Sequence, residues 1–427
     1  MKIHQNLERE PFGEIIEQTL GRFFKNMYGG EYAVRWYAGS RRRRLRGKSD
    51  EQIWLCNPAL NALFTVDTTS EVLKWIRRQY SHAPIVWRRP LQRCLVALAT
   101  HGSTAAWFTS AALGVSPAIP NGNRLLLLGG NNRLRLADMR QARVYSVLKQ
   151  GFDPVFLRRE ISVRQAGSDW PIPPLLEYAA DFTWFAESLV DAVPLNRVSS
   201  RKRRLAAATQ ANSVLARWCE RSRTEIAAQE YVQQLGELAQ RRVSANSLFS
   251  DQERRTVRKW VASAADVLST LAVRGGKNIP LTFGHGDFQP GNILLNNSGH
   301  IWLTDWEHAD KRHLLYDAFV YGLASRFPGG LALRMRSALS RPSALGLAVV
   351  SAWPEIAAQD SFRLRLQLGI FLLEELLWYL EENSNHLFRK LSGGWLDFRG
   401  EFEPALAAVA GGSAEAIVRG ATASMRA

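Results

Sequence analysis

Three polar residues in the second half of the chain have the types and spacing that metal-assisted phosphoryl transfer requires. Asn292 follows Asp287 by five residues, and Asp305 comes shortly after the apolar run 301–303. In such a set the first carboxylate orients an acceptor hydroxyl and takes its proton, while the amide oxygen and the second carboxylate hold Mg²⁺ against nucleotide phosphates. Asp287 by itself could be a turn residue. Together the three predict a catalytic base, Asp287, beside a magnesium site formed by Asn292 and Asp305.

The residues around Asp287 also resemble a known superfamily. Protein kinases share the Asp-x-x-x-x-Asn spacing in a motif that begins His-Arg-Asp, whereas this chain reads His-Gly-Asp, with Gly291 directly before Asn292. This form resembles the aminoglycoside phosphotransferase and choline kinase superfamily, whose members phosphorylate small-molecule hydroxyls. The resemblance, which covers about residues 124–385, implies a protein-kinase-like fold with ATP and Mg²⁺ as cofactors. GTP stays open as an alternative donor.

Three further residues beside this motif receive interpretations of their own. Glu307 extends the second motif to Asp-Trp-Glu, as in choline and methylthioribose kinases, and its role stays open between a metal contact, a substrate ammonium contact and a buried hydrogen bond. The resemblance implies that Asp317 packs against the catalytic loop. His285 is interpreted as a residue that holds the loop by hydrogen bonds and does not transfer a proton in the reaction.

Upstream residues fit the part of such a fold that binds the nucleotide. Gly129 and Gly130 form a turn between two strand-like runs, which is also what an ordinary hairpin would use. Lys149 ends the next strand, and Glu160 lies on the helix that Asp-Pro opens at residue 153. The resemblance implies that Lys149 and Glu160 form the ion pair that fixes the α- and β-phosphates, although Glu177 competes with Glu160 for that role.

Two residues farther along are predicted to meet the nucleotide base. The resemblance places Glu187 and Ser188, in the run Phe-Ala-Glu-Ser, at the hinge of the fold. Their backbone groups would face the edge of the adenine ring. The predicted cofactor-binding set is therefore Gly129, Gly130, Lys149, Glu160, Glu187 and Ser188.

The elements around these residues predict an α+β, bilobal protein-kinase-like fold with an N-terminal α/β extension. Strands are expected at residues 124–128, 133–136, 144–149, 175–178 and 183–187, with one helix between the third and the fourth. From residue 196 the pattern is helical, apart from the strand pair 292–295 and 300–305. The predicted domains are an extension at 1–118, a small lobe with hinge at 119–195 and a helical large lobe at 196–427.

The extension shows no residues with an evident chemistry. It carries an excess of basic residues, including Arg41 to Arg44, and ends in a loop with Pro117 and Pro120. This boundary predicts a separately packed unit that is dispensable for ATP binding. Its arginines, together with Trp36, Trp75 and Trp87, are candidates for contact with an anionic membrane surface or a glycan.

The composition of the chain limits the remaining classes of function and partner. The chain has 427 residues and a formal net charge of +16, with a pI near 10.1. It carries no zinc-finger or RNA-recognition signature, so nucleic acid is not the expected partner. Three scattered cysteines and a polar N-terminus without a signal peptide predict a cytoplasmic protein, with peripheral membrane contact as an option.

The leading hypothesis is an ATP- and Mg²⁺-dependent phosphotransferase acting on a hydroxyl of a small molecule, with a sugar or glycan intermediate as the favoured acceptor. Region 196–278 is rich in arginine, which disfavours a polycationic aminoglycoside. Choline would need an aromatic and acidic cage, for which Glu374, Glu375, Trp378 and Tyr379 are candidates. The alternative is a non-catalytic, kinase-like nucleotide-binding module with a basic docking segment.

Overall fold

The chain divides into two units, Met1–Val193 and Pro194–Ala427. The computed structural model describes residues 3–39, 50–80, 86–101, 104–167 and 169–411. The predicted docking arginines at 41–44 lie outside the described residues. Among the described helices, none combines the length and the apolar character needed to cross a bilayer.

One antiparallel sheet organises the first unit. Among the described residues it has nine strands, which lie side by side in the order Ala33–Ala38, Ala111–Ser116, Gln52–Asn57, Ala62–Thr65, Leu125–Gly129, Arg133–Asp138, Arg143–Leu148, Trp184–Ser188 and Leu175–Tyr178. The last five strands, together with the helix Val155–Gln165, have the order predicted for the small lobe.

The predicted domain boundary at residue 118 is wrong, because the sheet runs across it. Ala62 pairs with Leu128 and Leu63 pairs with Leu127, so a strand of the extension and the first strand of the predicted small lobe are neighbours. The proline-containing loop after Ser116 is a connection within one sheet and not a linker. Residues 1–118 and 119–193 therefore form one structural unit.

Helices cover both faces of this sheet, because successive strand residues point to opposite sides. The helix Phe12–Tyr28 packs its apolar stripe on one face, in a core that includes Leu127, Leu136 and Val147. The helices Ser70–Tyr80 and Arg89–Ala99 cover the other face, where they meet Leu126 and Ala137. The extension thus supplies much of the core beneath strands of the predicted small lobe.

The helix Val155–Gln165 is placed by local sequence. Asp153 accepts a hydrogen bond from the backbone N–H of Val155 at 2.8 Å, and Pro154 stands at the start of the helix. The helix packs on the strands Leu175–Tyr178 and Trp184–Ser188. Glu160 on this helix is completely buried.

The second unit is mainly helical. Its helices are Arg201–Arg221, Ala228–Ala245, Asp251–Gly275, Tyr316–Gly322, Leu331–Ser340, Leu347–Ala352, Glu355–Ala358, Ser361–Glu382 and Gly393–Ala410. Two small antiparallel arrangements accompany them: Thr224–Ala227 with Asn278–Gly284 and Asp310–His313, and the hairpin Ile293–Leu295 with Ile301–Leu303.

The helix Ser361–Glu382 forms the centre of this unit. Asp360 caps its first turn by accepting hydrogen bonds from the backbone of Phe362 and Arg363. Its predicted apolar face is buried, as shown by Leu368, Phe371, Leu372, Leu376 and Tyr379, none more than 2 % exposed. Because the helix is surrounded by apolar neighbours, any carboxylate on it needs a partner.

Candidate active site

A short loop connects the strand Asn278–Gly284 to the strand Ile293–Leu295 and carries Asp287. Gly286 has a φ of +81°, and a Cβ there would overlap the backbone oxygen of His308. Only glycine suits this position. The backbone therefore passes directly against His308 before it presents the side chain of Asp287.

The carboxylate of Asp287 is held by three side chains. Arg326 Nε donates to Oδ1 at 2.5 Å, Gln289 Nε2 donates to Oδ2 at 3.0 Å and Asn292 Nδ2 donates to Oδ2 at 2.8 Å. The Asp287 side chain is 11 % exposed. Hydrogen bonds to a charged acceptor are among the stronger ones, so this carboxylate has a defined orientation with a small opening to solvent.

Asn292 and Asp305 are brought together by the hairpin that follows the loop. Ile293 pairs with Leu303, and one step farther the backbone N–H of Thr304 donates to the carbonyl of Asn292 at 3.0 Å. The amide nitrogen of Asn292 turns towards Asp287, which orients the amide oxygen away from that carboxylate. Asp305 has a φ of +72°, a conformation that concentrates at functional sites.

Two residues hold the loop in place. Asp317 accepts hydrogen bonds from the backbone N–H groups of His285 at 2.6 Å and Gly286 at 3.0 Å. Burial raises the pKa of Asp317, and the charge and hydrogen bonds around it act in the opposite direction. The His285 ring lies 3.1 Å from the carbonyl oxygen of Thr304, measured from Nε2. Both side chains thus connect the loop to its surroundings.

Arg326 is a residue of this site that the sequence reading missed. Beyond Asp287, its guanidinium binds both oxygens of Glu375 at 2.8 Å and the carbonyl of Gly286 at 2.8 Å, and it lies 3.8 Å from the ring centre of Trp378. A usable signal was present in the helix Ser361–Glu382. A carboxylate within its long apolar run requires a buried cation from elsewhere.

The sequence suggested Glu374, Glu375, Trp378 and Tyr379 as an aromatic and acidic cage for choline. The structure contradicts that role for three of these four residues. Glu375 is bound by Arg326 and accepts a hydrogen bond from Tyr316 at 2.6 Å. Glu374 is bound by His313 and by Tyr231, and Tyr379 is 2 % exposed. These side chains are buried structural partners. Trp378 is the member that is only partly buried.

A cluster of carboxylates surrounds His308 next to Trp378. Glu382 Oε1 lies 3.1 Å from Nε2 of His308, Glu381 Oε2 lies 3.4 Å from Nδ1, and Glu307 Oε1 lies 3.9 Å from Nε2. Burial alone would lower the pKa of His308, but the hydrogen bonds to Glu381 and Glu382 and the charge of Glu307 raise it to about 10. His308 is therefore an imidazolium at neutral pH.

In the first unit, the two members of the predicted phosphate-binding ion pair have different close partners. Lys149 Nζ donates to Glu10 Oε1 at 2.6 Å and to the carbonyl of Asn131 at 2.7 Å. Glu160 Oε1 lies 2.7 Å from Arg133 Nη1, and the other oxygen is bound by Arg164. The pairing of Lys149 with Glu160 stays a prediction beside these contacts.

Hydrogen bonds connect the predicted glycine turn to side chains of the extension. Asn61 Nδ2 donates to the carbonyl of Gly129, and Asn6 Nδ2 donates to the carbonyl of Gly130, both at 3.0 Å. A Cβ at Gly130 would approach the carbonyl oxygen of Arg133 to 2.5 Å, so the turn closes only with glycine there.

Backbone groups at and next to Glu187 and Ser188 already form hydrogen bonds within the first unit. The N–H of Ser188 donates to Pro174 at 3.0 Å, the N–H of Leu189 donates to Ala142 at 2.8 Å, and the Glu187 carboxylate binds Arg164. Next to this strand end is a cavity of about 390 Å³ lined by Glu71, Lys74, Trp75, Arg78, Met139, Ala142, Leu189, Val190 and Asp191.

Comparison with protein families gives a match over residues 156–349, to the family described as "Phosphotransferase enzyme family". This match confirms the predicted superfamily and the predicted enzyme class, a phosphotransferase. Comparison with curated proteins found no match. Within the described residues, no group of three or more His, Cys, Asp or Glu side chains is arranged to hold a metal ion.

Solved structures with a similar arrangement share little sequence with this chain. Choline kinase LicA from Streptococcus pneumoniae is 13 % identical, with 68 % of this chain and 92 % of that chain covered and a TM-score of 0.40. Ethanolamine kinase from Plasmodium vivax is 12 % identical, with 80 % and 93 % covered and a TM-score of 0.41. A thermostable mutant of aminoglycoside phosphotransferase APH(4)-Ia, in ternary complex with ADP and hygromycin B, is 18 % identical, with 67 % and 92 % covered and a TM-score of 0.41.

Proposed function

We propose that this chain, whose residues 156–349 match the phosphotransferase enzyme family, transfers the γ-phosphate of ATP to a hydroxyl of a small molecule. The arrangement of Asp287, Asn292 and Asp305 on one loop and hairpin carries this proposal. It combines a buried, oriented carboxylate with two oxygen ligands in adjacent positions.

In this proposal Asp287 is the general base. It accepts the proton of the acceptor hydroxyl as the hydroxyl oxygen bonds to the γ-phosphorus and ADP leaves. Arg326, Gln289 and Asn292 fix the carboxylate, so that little reorganisation is needed during the reaction. A carboxylate with this geometry has its proton-accepting oxygen in a defined direction.

Asn292 and Asp305 are the proposed magnesium ligands. Mg²⁺ prefers oxygen ligands and is commonly held by one or two protein groups together with substrate phosphates. One amide oxygen and one carboxylate in adjacent positions fit this preference, so a cluster of three acidic residues is not needed. When bound, the ion supplies charge neutralisation at the phosphates.

Residues of the first unit are the proposed nucleotide contacts. Backbone groups of Gly129 and Gly130 are proposed to face the phosphates, and the strand end at Glu187 and Ser188 to face the base. The cavity beside that strand end supports the base position, since its volume lies in the range of small-ligand sites and Trp75 offers an aromatic surface. Trp75 belongs to the extension, for which the sequence indicated no chemistry.

For the acceptor we propose a sugar or glycan hydroxyl, supported by the arginine-rich composition of region 196–278. The cluster around His308 favours a second candidate, an acceptor that also carries an amino group. Three carboxylates, Glu307, Glu381 and Glu382, lie around His308 there, and carboxylates are the acceptors that a charged amino group binds most strongly. An amino sugar would satisfy both observations.

Peripheral contact with an anionic membrane surface remains a proposal that rests on composition. The net charge of +16 and the arginines at 41–44 support it. Co-sedimentation with vesicles containing phosphatidylserine, compared with neutral vesicles, tests it. Equal sedimentation with both would contradict it.

The main experiment is an ADP-release assay with ATP, Mg²⁺ and separate panels of sugars, amino sugars, amino alcohols and aminoglycosides. Release that depends on an acceptor, and that is lost in Asp287→Asn, is the expected result. Nucleotide binding without release from any panel would favour the non-catalytic nucleotide-binding alternative. Absence of both binding and release would contradict both hypotheses.

A further inference from the structure

One helix of the first unit presents an apolar stripe to solvent. Leu91, Leu95 and Leu98, on the helix Arg89–Ala99, follow one another at intervals of four and three residues, which places them on one side of the helix. They are between 45 % and 68 % exposed, whereas Val96 is buried and belongs to the core that this helix shares with the sheet. The helix therefore has one apolar side in the core and a second one in solvent.

An exposed tryptophan lies in the turn at each end of this helix. Trp87, in the turn Val86–Arg88 that leads into the helix, is 69 % exposed. Trp107, in the turn that follows the helix, is 68 % exposed. That second turn is joined to the helix end by a hydrogen bond of 2.5 Å, which Thr104 Oγ1 donates to the carbonyl of Leu98. Tryptophan is enriched where proteins meet the boundary between lipid headgroups and acyl chains.

The charge of this part of the chain is positive. Arg88 and Arg93 are exposed at the start of the helix and within it, and the guanidinium of Arg88 lies 4.9 Å from the ring centre of Trp87. Between Glu71 and Asp138 the sequence holds no acidic residue. Leucine, tryptophan and arginine on a short helix without carboxylates are the composition of helices that lie in the surface of anionic bilayers.

We propose that the helix Arg89–Ala99, together with Trp87 and Trp107, binds the surface of a bilayer that contains anionic lipids. This inference rests on the proposed peripheral contact, for which it names the surface, and it is independent of the phosphotransferase chemistry. The leucines enter the boundary between headgroups and acyl chains, and the arginines bind lipid phosphates. Each arginine near such a surface strengthens binding about fivefold, and salt weakens this part of the attraction by screening.

The exposed side chains favour a bilayer over a protein partner. Leucine is under-represented among the residues that dominate the energy of protein–protein interfaces, whereas leucine beside tryptophan and basic residues is typical of helices at lipid surfaces. The positive charge of the same segment complements anionic headgroups. A second copy of this chain, which carries the same positive charge at this place, would be repelled.

The cysteines of this chain allow a direct test on the unaltered sequence. Cys94 is exposed on the same helix, whereas Cys56 and Cys219 are buried, so a thiol-reactive fluorophore labels the folded protein at Cys94. With an environment-sensitive fluorophore, vesicles of phosphatidylcholine and phosphatidylserine should shift the emission to shorter wavelengths. Vesicles of phosphatidylcholine alone should give a smaller shift. If the labelled protein sediments with the anionic vesicles and its emission does not change, the helix is not the contact and the inference is overturned.

Co-sedimentation of matched variants with the same anionic vesicles tests the apolar stripe. Leu91→Gln/Leu95→Gln removes two of its leucines, and Leu333→Gln/Leu347→Gln replaces two exposed leucines of the second unit as the control. We expect the partition coefficient to fall at least about 10-fold in the first variant and less than about 2-fold in the control, because only the first loses apolar surface that the bilayer covers.

A second pair of variants tests the charge. Arg88→Gln/Arg93→Gln removes the two exposed arginines of the proposed surface, and Arg255→Gln/Arg336→Gln removes two exposed arginines of the second unit. Both variants lower the net charge equally. At low ionic strength the partition coefficient should fall at least about 10-fold in the first variant and clearly less in the second. Equal losses in both would show that net charge alone attracts the protein, which would overturn the assigned surface.

Sedimentation of Leu91→Gln/Leu95→Gln at the level of the wild type would overturn the inference and leave the peripheral contact to another surface. A wild-type protein that does not sediment with anionic vesicles would refute the peripheral contact itself. A wild-type dimer that this variant converts to a monomer, measured by sedimentation velocity, would assign the stripe to a second copy and also overturn the inference. Circular dichroism shows whether each variant keeps its structure, and the Cys94 label decides the matter if the leucine variant does not fold.

Discussion

Arg326 Nε lies 2.5 Å from Asp287 Oδ1, and the same guanidinium binds both carboxylate oxygens of Glu375. The position of the proposed base is therefore set by a residue of the helix Ser361–Glu382, through one buried arginine. The ring centre of Trp378 on that helix lies 3.8 Å from the same guanidinium. This chain of contacts links the packing of the second unit to its chemistry.

The double variant Arg326→Met/Glu375→Gln should lower kcat about 10²-fold, since displacement of a catalytic group by about 1 Å has an effect of that size. The KM for ATP should stay unchanged, because Arg326 is proposed to act through Asp287 alone. Steady-state kinetics measure both. Arg254→Met, which removes a partly exposed arginine of the same unit, is the control. An equal loss in the control variant would contradict the positioning role.

Asp287→Asn should keep the fold and lower kcat by about 10²–10⁴-fold, because an amide cannot accept the hydroxyl proton. The comparison uses an acceptor identified in the ADP-release assay. Asp360→Asn is a matched control, since asparagine caps a helix about as well as aspartate does. Turnover close to that of the wild type would contradict the assignment of Asp287 as the base.

Asp305→Ala should abolish the Mg²⁺-dependent part of nucleotide binding, because it removes the only carboxylate proposed to hold the metal ion. Calorimetry with a non-hydrolysable analogue, with and without Mg²⁺, makes the measurement. The residual, metal-independent affinity should equal that of the wild type in EDTA. If affinity in Mg²⁺ is unchanged, the metal site lies elsewhere.

Stability should fall between pH 6.5 and about 10 because of His308. Its pKa is raised from 6.5 to about 10 in the folded chain, so the folded state keeps a proton that the unfolded state has released. Its contribution is fully present below pH 6.5 and is lost as the pH rises through 10, at up to about 1.4 kcal/mol per pH unit.

Urea unfolding at pH 7 and pH 9 of the wild type and of His308→Gln tests this pH dependence. The difference in unfolding free energy between the two proteins should shrink at the higher pH. A constant difference would show that His308 does not bind its proton more tightly in the folded state.

A chain beginning at Ile119 should not fold, contrary to what the sequence predicts. Removing the extension takes away the strand Ala62–Thr65 beside Leu125–Gly129, and also the helix Phe12–Tyr28 that covers Leu127 and Val147. Calorimetry should detect no cooperative transition for the first unit. A cooperative transition whose midpoint temperature rises with an ATP analogue would show that the extension is a separate unit, as the sequence predicts.

Local signals explain how much of this organisation the sequence revealed. The turn at Gly129 and Gly130 and the Asp-Pro helix start at residue 153 act over a few residues, and the strand and helix order after residue 124 followed from such signals. The Asp287 motif is equally local, because five residues separate its first two members. Spacing alone was enough to place these residues on one loop and hairpin.

Long-range partners account for what the sequence could not reveal. Glu10 reaches Lys149 across 139 residues, and Arg326 reaches Glu375 across 49. Sheet continuity across residue 118 likewise depends on a pairing that no local pattern encodes.

During synthesis on the ribosome, paired strands of the nine-stranded sheet emerge at different times. The strand Ala62–Thr65 leaves the tunnel about 60 residues before Leu125–Gly129, which is a delay of roughly 3–12 s at common elongation rates. During that interval its hydrogen-bonding edge has no native neighbour on the far side. The strand is four residues long, and short edges offer little template for mispairing between nascent chains. If translation stalled before residue 125, this strand edge would stay exposed and chaperones would bind the nascent chain.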